Sequence, residues 1–175
     1  RHFDATRPVT CTERIYSLRW GDRFRYSSRY MDLLALNAYH GWYYSTVEAI
    51  APHVRSYHRR YPDKPIIISE FGAEAGYGRC DEDGTWRAER VPQRRTYSES
   101  YQAEVISGFV ENLAQQEEIA GLVPWVFADF ASHWFPSNPA PYHNCKGLLT
   151  NDRRPKQAYF ALQEKYRELQ ETEEQ

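Results

Sequence analysis

The stretch PIIISEFG, residues 65–72, decides how this chain can fold. Three isoleucines follow Pro65, and the run then ends in serine, glutamate, phenylalanine and Gly72. A short apolar run with such boundaries is typical of a strand that is buried on both faces. A buried carboxylate without a counter-charge costs free energy. Glu70 at the end of this strand is therefore either a structural ion-pair member or a functional group.

The rest of the chain alternates between strand-like and helix-like patterns. The predicted strands are PVTCTE (8–13), MDLLALNAY (31–39), PIIISEF (65–71) and GLVPWVF (121–127). Apolar residues also recur every three or four positions, as an amphipathic helix requires. These helical stripes cover 47–61, 97–113 and 158–169. Strands that alternate with helices predict a parallel sheet built from βα units.

Two features refine this α/β prediction. Capping boxes are predicted at two helix starts, Ser45 with Glu48 and Thr96 with Glu99. Four βα units are too few for a complete (β/α)₈ barrel, which needs about 250 residues. Periodicity alone therefore leaves two folds open, a small open α/β domain or half of a barrel.

Composition narrows the class of protein. The 175 residues carry a net charge of −2, which gives no electrostatic basis for binding nucleic acid or an anionic membrane. No apolar run approaches the roughly 20 residues of a membrane span, and no signal peptide is visible. Cys11, Cys80 and Cys145 have neither zinc-site nor paired-disulfide spacing, so we expect no metal and a reducing, cytoplasmic location.

Polar and aromatic residues follow the predicted strands where each one ends. In α/β folds ligands bind at the carboxyl ends of the strands, so these side chains are expected to converge. Aromatic rings can stack on the apolar faces of a sugar while polar groups bond its hydroxyls. The pattern therefore predicts a carbohydrate site. Its candidate residues are Asn37, Tyr39, Tyr43, Glu70 and Trp125.

Four segments in this order resemble the second half of the catalytic barrel of family 2 glycoside hydrolases, the β-glucuronidase and β-galactosidase group. They are MDLLALNAYHGWYYS, KPIIISEFGAE, GLVPWVFADFAS and NCKGLLTNDRRPKQAYFALQEKY. The resemblance implies that residues 1–170 form the C-terminal half of a (β/α)₈ TIM barrel, strands 5 to 8. Residues 171–175 would then be an acidic C-terminal tail.

The resemblance also implies catalytic roles. Glu70 matches the family's nucleophile, which forms a glycosyl-enzyme intermediate. Tyr39 matches the tyrosine that bonds this nucleophile and keeps it ionised. The family's general acid/base is a second glutamate in an Asn-Glu pair, and this chain contains no such pair. Retaining chemistry requires both carboxyl groups, so the chain by itself is expected to be inactive or nearly so.

Substrate-binding positions carry over in the same way. Asn37 and Tyr43 match pocket-lining residues, and Trp125 matches the tryptophan of the pocket floor. Asn144 and Lys146 match the Asn-x-Lys pair that holds the glucuronate carboxylate, and an amide and an ammonium suit that group.

The resemblance thus implies a fragment of a retaining exo-β-glycosidase that acts on β-D-glucuronides and needs no cofactor. A β-galactosidase or related enzyme, and a non-catalytic carbohydrate-binding module, remain alternatives. Besides its β-glucuronide or β-galactoside, the chain would need the missing N-terminal half-barrel or self-association, because a half-barrel leaves two sheet edges open.

The same residues also have structural interpretations. Glu70 could pair with an arginine, and the aromatic residues could belong to the core. Lys146 could be a solvated loop lysine. Asp129 is expected to be a structural hydrogen-bonding residue, and His133 a loop residue.

Overall fold

The computed structural model describes residues 6–15, 27–79, 97–134 and 140–173. Its centre is a sheet of four parallel strands, in which each strand lies beside its neighbour in sequence. The strands are β1 (Thr12–Ile15), β2 (Leu34–Ala38), β3 (Ile66–Phe71) and β4 (Ile119–Pro124). The helices are α1 (Ile50–Arg60), α2 (Glu99–Leu113) and α3 (Gln157–Glu173). Two short antiparallel strands, β5 (Phe130–Ala131) and β6 (His143–Asn144), complete the sheets.

The strand order distinguishes between the two main parallel architectures. A doubly wound sheet reverses its strand order at a switch point, whereas a barrel winds steadily in one direction. The observed order β1-β2-β3-β4, with α1 and α2 as crossovers, has no reversal. The predicted parallel βα sheet is confirmed, and its order is that of a barrel wall.

The central strand β3 changes its side-chain alternation before it ends. Ile66 and Ile68 are fully buried, and the next fully buried residue is Phe71 rather than residue 70. The β2–β3 register shifts at this point, so that Leu36 pairs with Ile68 and the next strand residue pairs with Glu70. One extra residue in a strand re-aims the side chains that follow it. The irregularity therefore turns Glu70 away from the helix-facing side that Phe71 occupies.

The hydrophobic core lies between the sheet and the helices. Phe71 of β3 stacks on Phe109 of α2, with ring centroids 4.6 Å apart. Each large apolar side chain that is removed from water stabilises the fold by about 1.5–3 kcal/mol. Other fully buried members of this cluster are Leu36, Ala38, Ile50, Val54, Ile66, Ile68, Val105 and Leu113.

The strand boundaries differ from the prediction, above all in β1 and β4. β1 begins at Thr12 rather than at residue 8, because the backbone of Val9 forms hydrogen bonds with Asp32. Val9 N donates to Asp32 Oδ2 at 2.8 Å, and Asp32 N donates to Val9 O at 2.8 Å. β4 begins at Ile119 and ends at Pro124, which has no N–H to continue the ladder.

Helix ends differ as well. The predicted Ser45–Glu48 capping box is wrong, because a 3₁₀ turn (Val47–Ala49) precedes α1 and no side chain caps that turn. At α2 the N-cap is Ser98, whose Oγ accepts from Tyr101 N at 3.2 Å. Thr96 of the other predicted box lies outside the described residues.

The C-terminal helix extends further than expected. α3 continues to Glu173, so helix occupies the first part of the predicted 171–175 tail. In the part of the chain that the structure describes, no helix is long and apolar enough to span a membrane.

Candidate active site

A pocket of about 480 Å³ opens where the strands of the sheet end. Its lining residues are Arg14, Tyr39, Tyr43, Tyr44, Glu70, Trp125, Asn144 and Lys146. Tyr39 and Trp125 directly follow β2 and β4, and Glu70 is the penultimate residue of β3. The structure therefore brings every predicted site residue except Asn37 to one pocket, at the carboxyl ends of parallel strands.

Glu70 and Tyr39 form the polar centre of this pocket. Tyr39 Oη donates a hydrogen bond to Glu70 Oε2 at 2.7 Å. Burial, and then the hydrogen bond to Glu70, raise the pKa of Tyr39 well above its usual value, while the Arg14 guanidinium acts weakly in the opposite direction. The phenol therefore keeps its proton and acts as the donor. The ion pairs among the described residues do not include Glu70, which argues against a purely structural salt bridge there.

Asn37 has a different position. It belongs to β2 at the register shift opposite β3, and its Oδ1 accepts from Ser69 Oγ at 2.8 Å. Asn37 does not line the pocket. Its bond instead ties β2 to the residue that precedes Glu70, and direct substrate binding by Asn37 stays a prediction.

Lys146 is buried, so its interpretation as a solvated loop lysine is wrong. Its side chain is 1% exposed, and its Nζ lies 2.5 Å from Oε1 of Glu74. Three rings surround the ammonium, with centroids at 5.0 Å for Tyr43, 5.7 Å for Trp42 and 5.8 Å for Tyr39. A cation within about 6 Å of a ring centroid gains cation–π attraction. The Glu74 carboxylate and the three rings therefore both contact the lysine ammonium.

Asn144 and Trp125 line the pocket beside this lysine. Asn144 is 5% exposed, and its Oδ1 accepts from Lys146 N at 3.0 Å. That bond leaves the amide nitrogen as the group that can donate to a ligand. Trp125 is half-buried and meets Phe130 edge to face, with centroids 6.3 Å apart. The pocket thus combines an aromatic surface with a carboxylate, an amide and an ammonium.

Asp129 and His133 lie outside the pocket. Asp129 Oδ1 accepts from Gly147 N at 2.8 Å, and its carboxylate pairs with Lys156 Nζ at 2.9 Å. Burial raises the pKa of Asp129, and Lys156 partly offsets that effect. The structural role predicted for Asp129 agrees with these contacts. Within the described ranges, no group of three histidine, cysteine, aspartate or glutamate side chains could hold a metal ion.

Three residues of the site are absent from the sequence prediction. Arg14 of β1 lines the pocket, but the predicted strand ended one residue before it. Tyr44 Oη accepts from Tyr39 N at 3.0 Å. Glu74 lies in the same SEFGAE segment as Glu70, and that proximity is the signal that could have identified it.

Comparison with known proteins agrees with this geometry. A family model described as "Glycosyl hydrolases family 2, TIM barrel domain" matches residues 1–171. The β-glucuronidase of Mus musculus is 34% identical over 93% of this chain and 24% of that protein. The chain spans about a quarter of the length of the curated relatives it matches.

Solved structures give the same result. A β-D-glucuronidase of Dictyoglomus thermophilum superposes with a TM-score of 0.75 and 30% identity, over 95% of this chain and 27% of that one. A β-galacturonidase of Eisenbergiella tayi, bound to galacturonate, has a TM-score of 0.73 and 26% identity, over 95% and 28%. This chain therefore belongs to the glycosyl hydrolases of family 2, within their TIM barrel domain.

Proposed function

We propose that this chain supplies the nucleophile-bearing part of the active site of a retaining exo-β-glycosidase, and that its substrates are β-D-glucuronides. The observation that carries the proposal is the 2.7 Å hydrogen bond from a protonated Tyr39 to the Glu70 carboxylate, in the pocket that also holds Asn144 and Lys146. A phenol that keeps its proton stabilises a carboxylate in its charged, nucleophilic form.

The chemistry proceeds in two steps. An oxygen of Glu70 forms a bond to the anomeric carbon while the bond to the aglycone oxygen breaks, and a general acid protonates the departing oxygen. Water then attacks the anomeric carbon of the glycosyl-enzyme, the same acid/base group takes its proton, and the Glu70 carboxylate is released. The second carboxyl group must lie about 5–5.5 Å from the nucleophile.

That acid/base group is proposed to come from outside these 175 residues. The chain contains no Asn-Glu pair. We assign β1 to β4 to barrel strands 5 to 8, so that strands 1 to 4 provide the acid/base. Among the described residues, both β1 and β4 have a strand on one side only, and no residue of β4 is fully buried, with Val123 50% exposed. Closure of a barrel covers such edges, so a competent site needs the complementary half or self-association.

The uronate assignment rests on charge and donor type. The Lys146 ammonium and the Asn144 amide provide a cation and a neutral donor in one pocket, a combination that suits a carboxylate. Similarity to β-glucuronidases supports glucuronide as the first candidate. Similarity to the galacturonate-bound β-galacturonidase favours β-D-galacturonide as a second candidate.

The test uses the longest natural polypeptide that contains this chain, with p-nitrophenyl β-D-glucuronide as substrate. Glu70→Gln keeps the size of the side chain and removes its nucleophilic charge, so turnover should fall to background while the fold is retained. Glu99→Gln is the control, because Glu99 is a buried carboxylate that bonds Gly78 N and Gln157 N away from the pocket. Full activity of Glu70→Gln would exclude the nucleophile role.

Further measurements separate the alternatives. A panel of p-nitrophenyl β-D-glucuronide, β-D-galacturonide and β-D-galactoside ranks the three sugar classes. Sugar binding without turnover in any polypeptide would favour a carbohydrate-binding module. Turnover by the purified 175-residue chain, abolished by Glu70→Gln, would contradict the need for a complementary half-barrel.

A further inference from the structure

Glu74 lies behind Lys146 and does not line the pocket. Its side chain is 1% exposed, and Oε1 lies 2.5 Å from Lys146 Nζ. Oε2 has no hydrogen-bond partner among the described residues. A carboxylate in this position touches the lysine that faces the substrate pocket, so it acts through that lysine rather than on a ligand.

The segments that carry Glu74 and Lys146 are joined on one side by a buried amide. Gln102 of α2 is fully buried, and its Nε2 donates to Ala73 O at 3.0 Å and to Gly147 O at 3.1 Å. Ala73 directly precedes Glu74, and Gly147 directly follows Lys146. One side chain therefore fixes the spacing of both segments.

A buried lysine joins the other side of the same two segments. Lys156 Nζ donates to Ala75 O at 2.9 Å and to Cys145 O at 3.0 Å. Ala75 N also donates to Cys145 O at 3.0 Å. The residues that flank Glu74 are thus linked by hydrogen bonds to the residues that flank Lys146. The fold therefore sets the position of the Glu74 carboxylate before any ligand binds.

This arrangement matters because of the chemistry of lysine. A lysine side chain is a flexible stem with a compact charge at its end, so its ammonium needs other groups to hold it in one place. Near Lys146 the rings of Tyr39, Trp42 and Tyr43 attract a cation without strict direction. The Glu74 carboxylate adds a directed, charge-assisted hydrogen bond, which is shorter and stronger than a neutral one.

We infer that Glu74 is a positioning residue that holds the Lys146 ammonium at the edge of the pocket and thereby sets the preference for acidic over neutral sugars. The inference rests on the proposed function, because it takes the sugar carboxylate as the group that Lys146 meets. Glu74 orders the lysine before the ligand binds, so less free energy is lost on binding.

The test compares two ligands that differ only at C6, methyl β-D-glucuronide and methyl β-D-glucoside. Their dissociation constants are measured by calorimetry in the longest natural polypeptide that contains this chain, with Glu70→Gln present to prevent turnover. Glu74→Ala should weaken glucuronide binding by about 10-fold or more, the equivalent of one charge-assisted hydrogen bond. Glucoside binding should be unchanged, and Glu74→Asp should recover part of the loss.

A kinetic measurement checks the same point where Glu70 is intact. Glu74→Ala should raise KM for p-nitrophenyl β-D-glucuronide and leave kcat nearly unchanged. Glu99→Ala is the structural control, since it removes a buried carboxylate that bonds only backbone amides in the described residues. If Glu74→Ala does not fold, Glu74→Gln keeps the volume and one acceptor oxygen, and should shift the ligand ratio in the same direction by less.

Outcomes that overturn the inference are distinct from those that overturn the proposed function. Equal weakening of both ligands, no change in either, or the same pattern in Glu99→Ala would overturn the positioning role. If glucuronide turnover is lost in Glu70→Gln but unchanged in Glu74→Ala, only the positioning role is contradicted. Glucuronide binding that depends on Glu74, in a protein without turnover, removes only the hydrolase proposal.

Discussion

Two lysines of the C-terminal segment, Lys146 and Lys156, are both buried and both pair with a carboxylate, but their remaining contacts differ. The ammonium of Lys156 donates to Asp129 and to the two carbonyl oxygens of Ala75 and Cys145. An ammonium has three donors, so the protein itself satisfies this group. Lys146 instead combines the Glu74 carboxylate with aromatic rings, at the wall of a pocket.

The difference shows how one residue type can serve the fold in one place and a ligand in another. A cation that is surrounded by backbone carbonyls joins chain segments, and a ligand could bind it only by breaking those bonds. A cation that contacts a carboxylate and ring faces at the wall of a pocket can meet an anionic group there. Both sites lie on the same two segments, so Lys156 supports the geometry that Lys146 uses.

The largest expected effect is on stability, from removing the structural lysine. Lys156→Met leaves Asp129 buried without its cation and leaves two carbonyl oxygens without their donor. Removing one member of a buried pair costs about 3–5 kcal/mol. Guanidinium unfolding of the variant and the wild type measures this loss. The preference for glucuronide over galactoside, measured in the longest natural polypeptide that contains this chain, should change far less than on loss of Lys146, because Gln102 and the Ala75 N–Cys145 O bond still join the two segments. A change of equal size would show that the two lysines are not separable.

The matched substitution Lys146→Met should change sugar preference. It also leaves a buried carboxylate, Glu74, without its cation, so some stability is lost here too. The distinguishing result is kinetic and is measured in the longest natural polypeptide that contains this chain: KM for p-nitrophenyl β-D-glucuronide should rise by about 10- to 100-fold, as for loss of a hydrogen bond to a charged group. KM for the galactoside should change little. An equal rise for both substrates would place Lys146 with Lys156 as a structural residue.

The main features of the fold could be predicted from sequence because they depend on local patterns. The apolar run of β3, with Pro65 before it and Gly72 after it, is readable as a buried strand. The placement of Tyr39 and Glu70 at the ends of neighbouring parallel strands predicts that their side chains converge on one face, whereas the contact between them is what the family resemblance implies. The start of β1 could not be predicted in this way. It depends on a hydrogen bond from Val9, in the predicted strand, to the side chain of Asp32, which is distant in sequence.

The role of Glu74 could not be predicted in the same way. It depends on contacts between segments that are distant in sequence, above all the bonds from Gln102 and Lys156 to the chain around Glu74 and Lys146. The segment NCKGLLTNDRRPK contains both lysines, but nothing in its letters shows that one ammonium meets carbonyl oxygens and the other meets rings. Such assignments require the packed structure.

A pH series sharpens the comparison of the two lysines. Burial already raises the pKa of Asp129, and Lys156 opposes that rise. Without Lys156, the pKa of Asp129 in the folded protein rises further above the pKa of the same group in the unfolded chain. As the pH falls, the folded protein therefore binds a proton at Asp129 before the unfolded chain does. The stability deficit of Lys156→Met should therefore shrink between pH 7 and pH 4. A deficit that is constant over this range would mean that lost packing, and not the buried charge, causes it.

The baseline for that series comes from a histidine pair away from both lysines. His40 Nε2 lies 2.7 Å from His53 Nδ1, and burial followed by the nearby His53 lowers the pKa of His40 to about 3. In the window between the ordinary value of about 6.5 and this lowered value, the unfolded chain binds a proton that the folded chain does not.

Stability of the wild type should therefore fall as the pH is lowered through this window, by up to about 1.4 kcal/mol per pH unit for one proton. His40→Gln removes the group and should flatten the slope, whereas His133→Gln, at an exposed position, should leave it unchanged. An unaltered slope in His40→Gln would assign the acid response to other groups. Because Lys156→Met and the wild type share this histidine pair, its contribution cancels in their difference, and the change that remains reports the charge of Asp129.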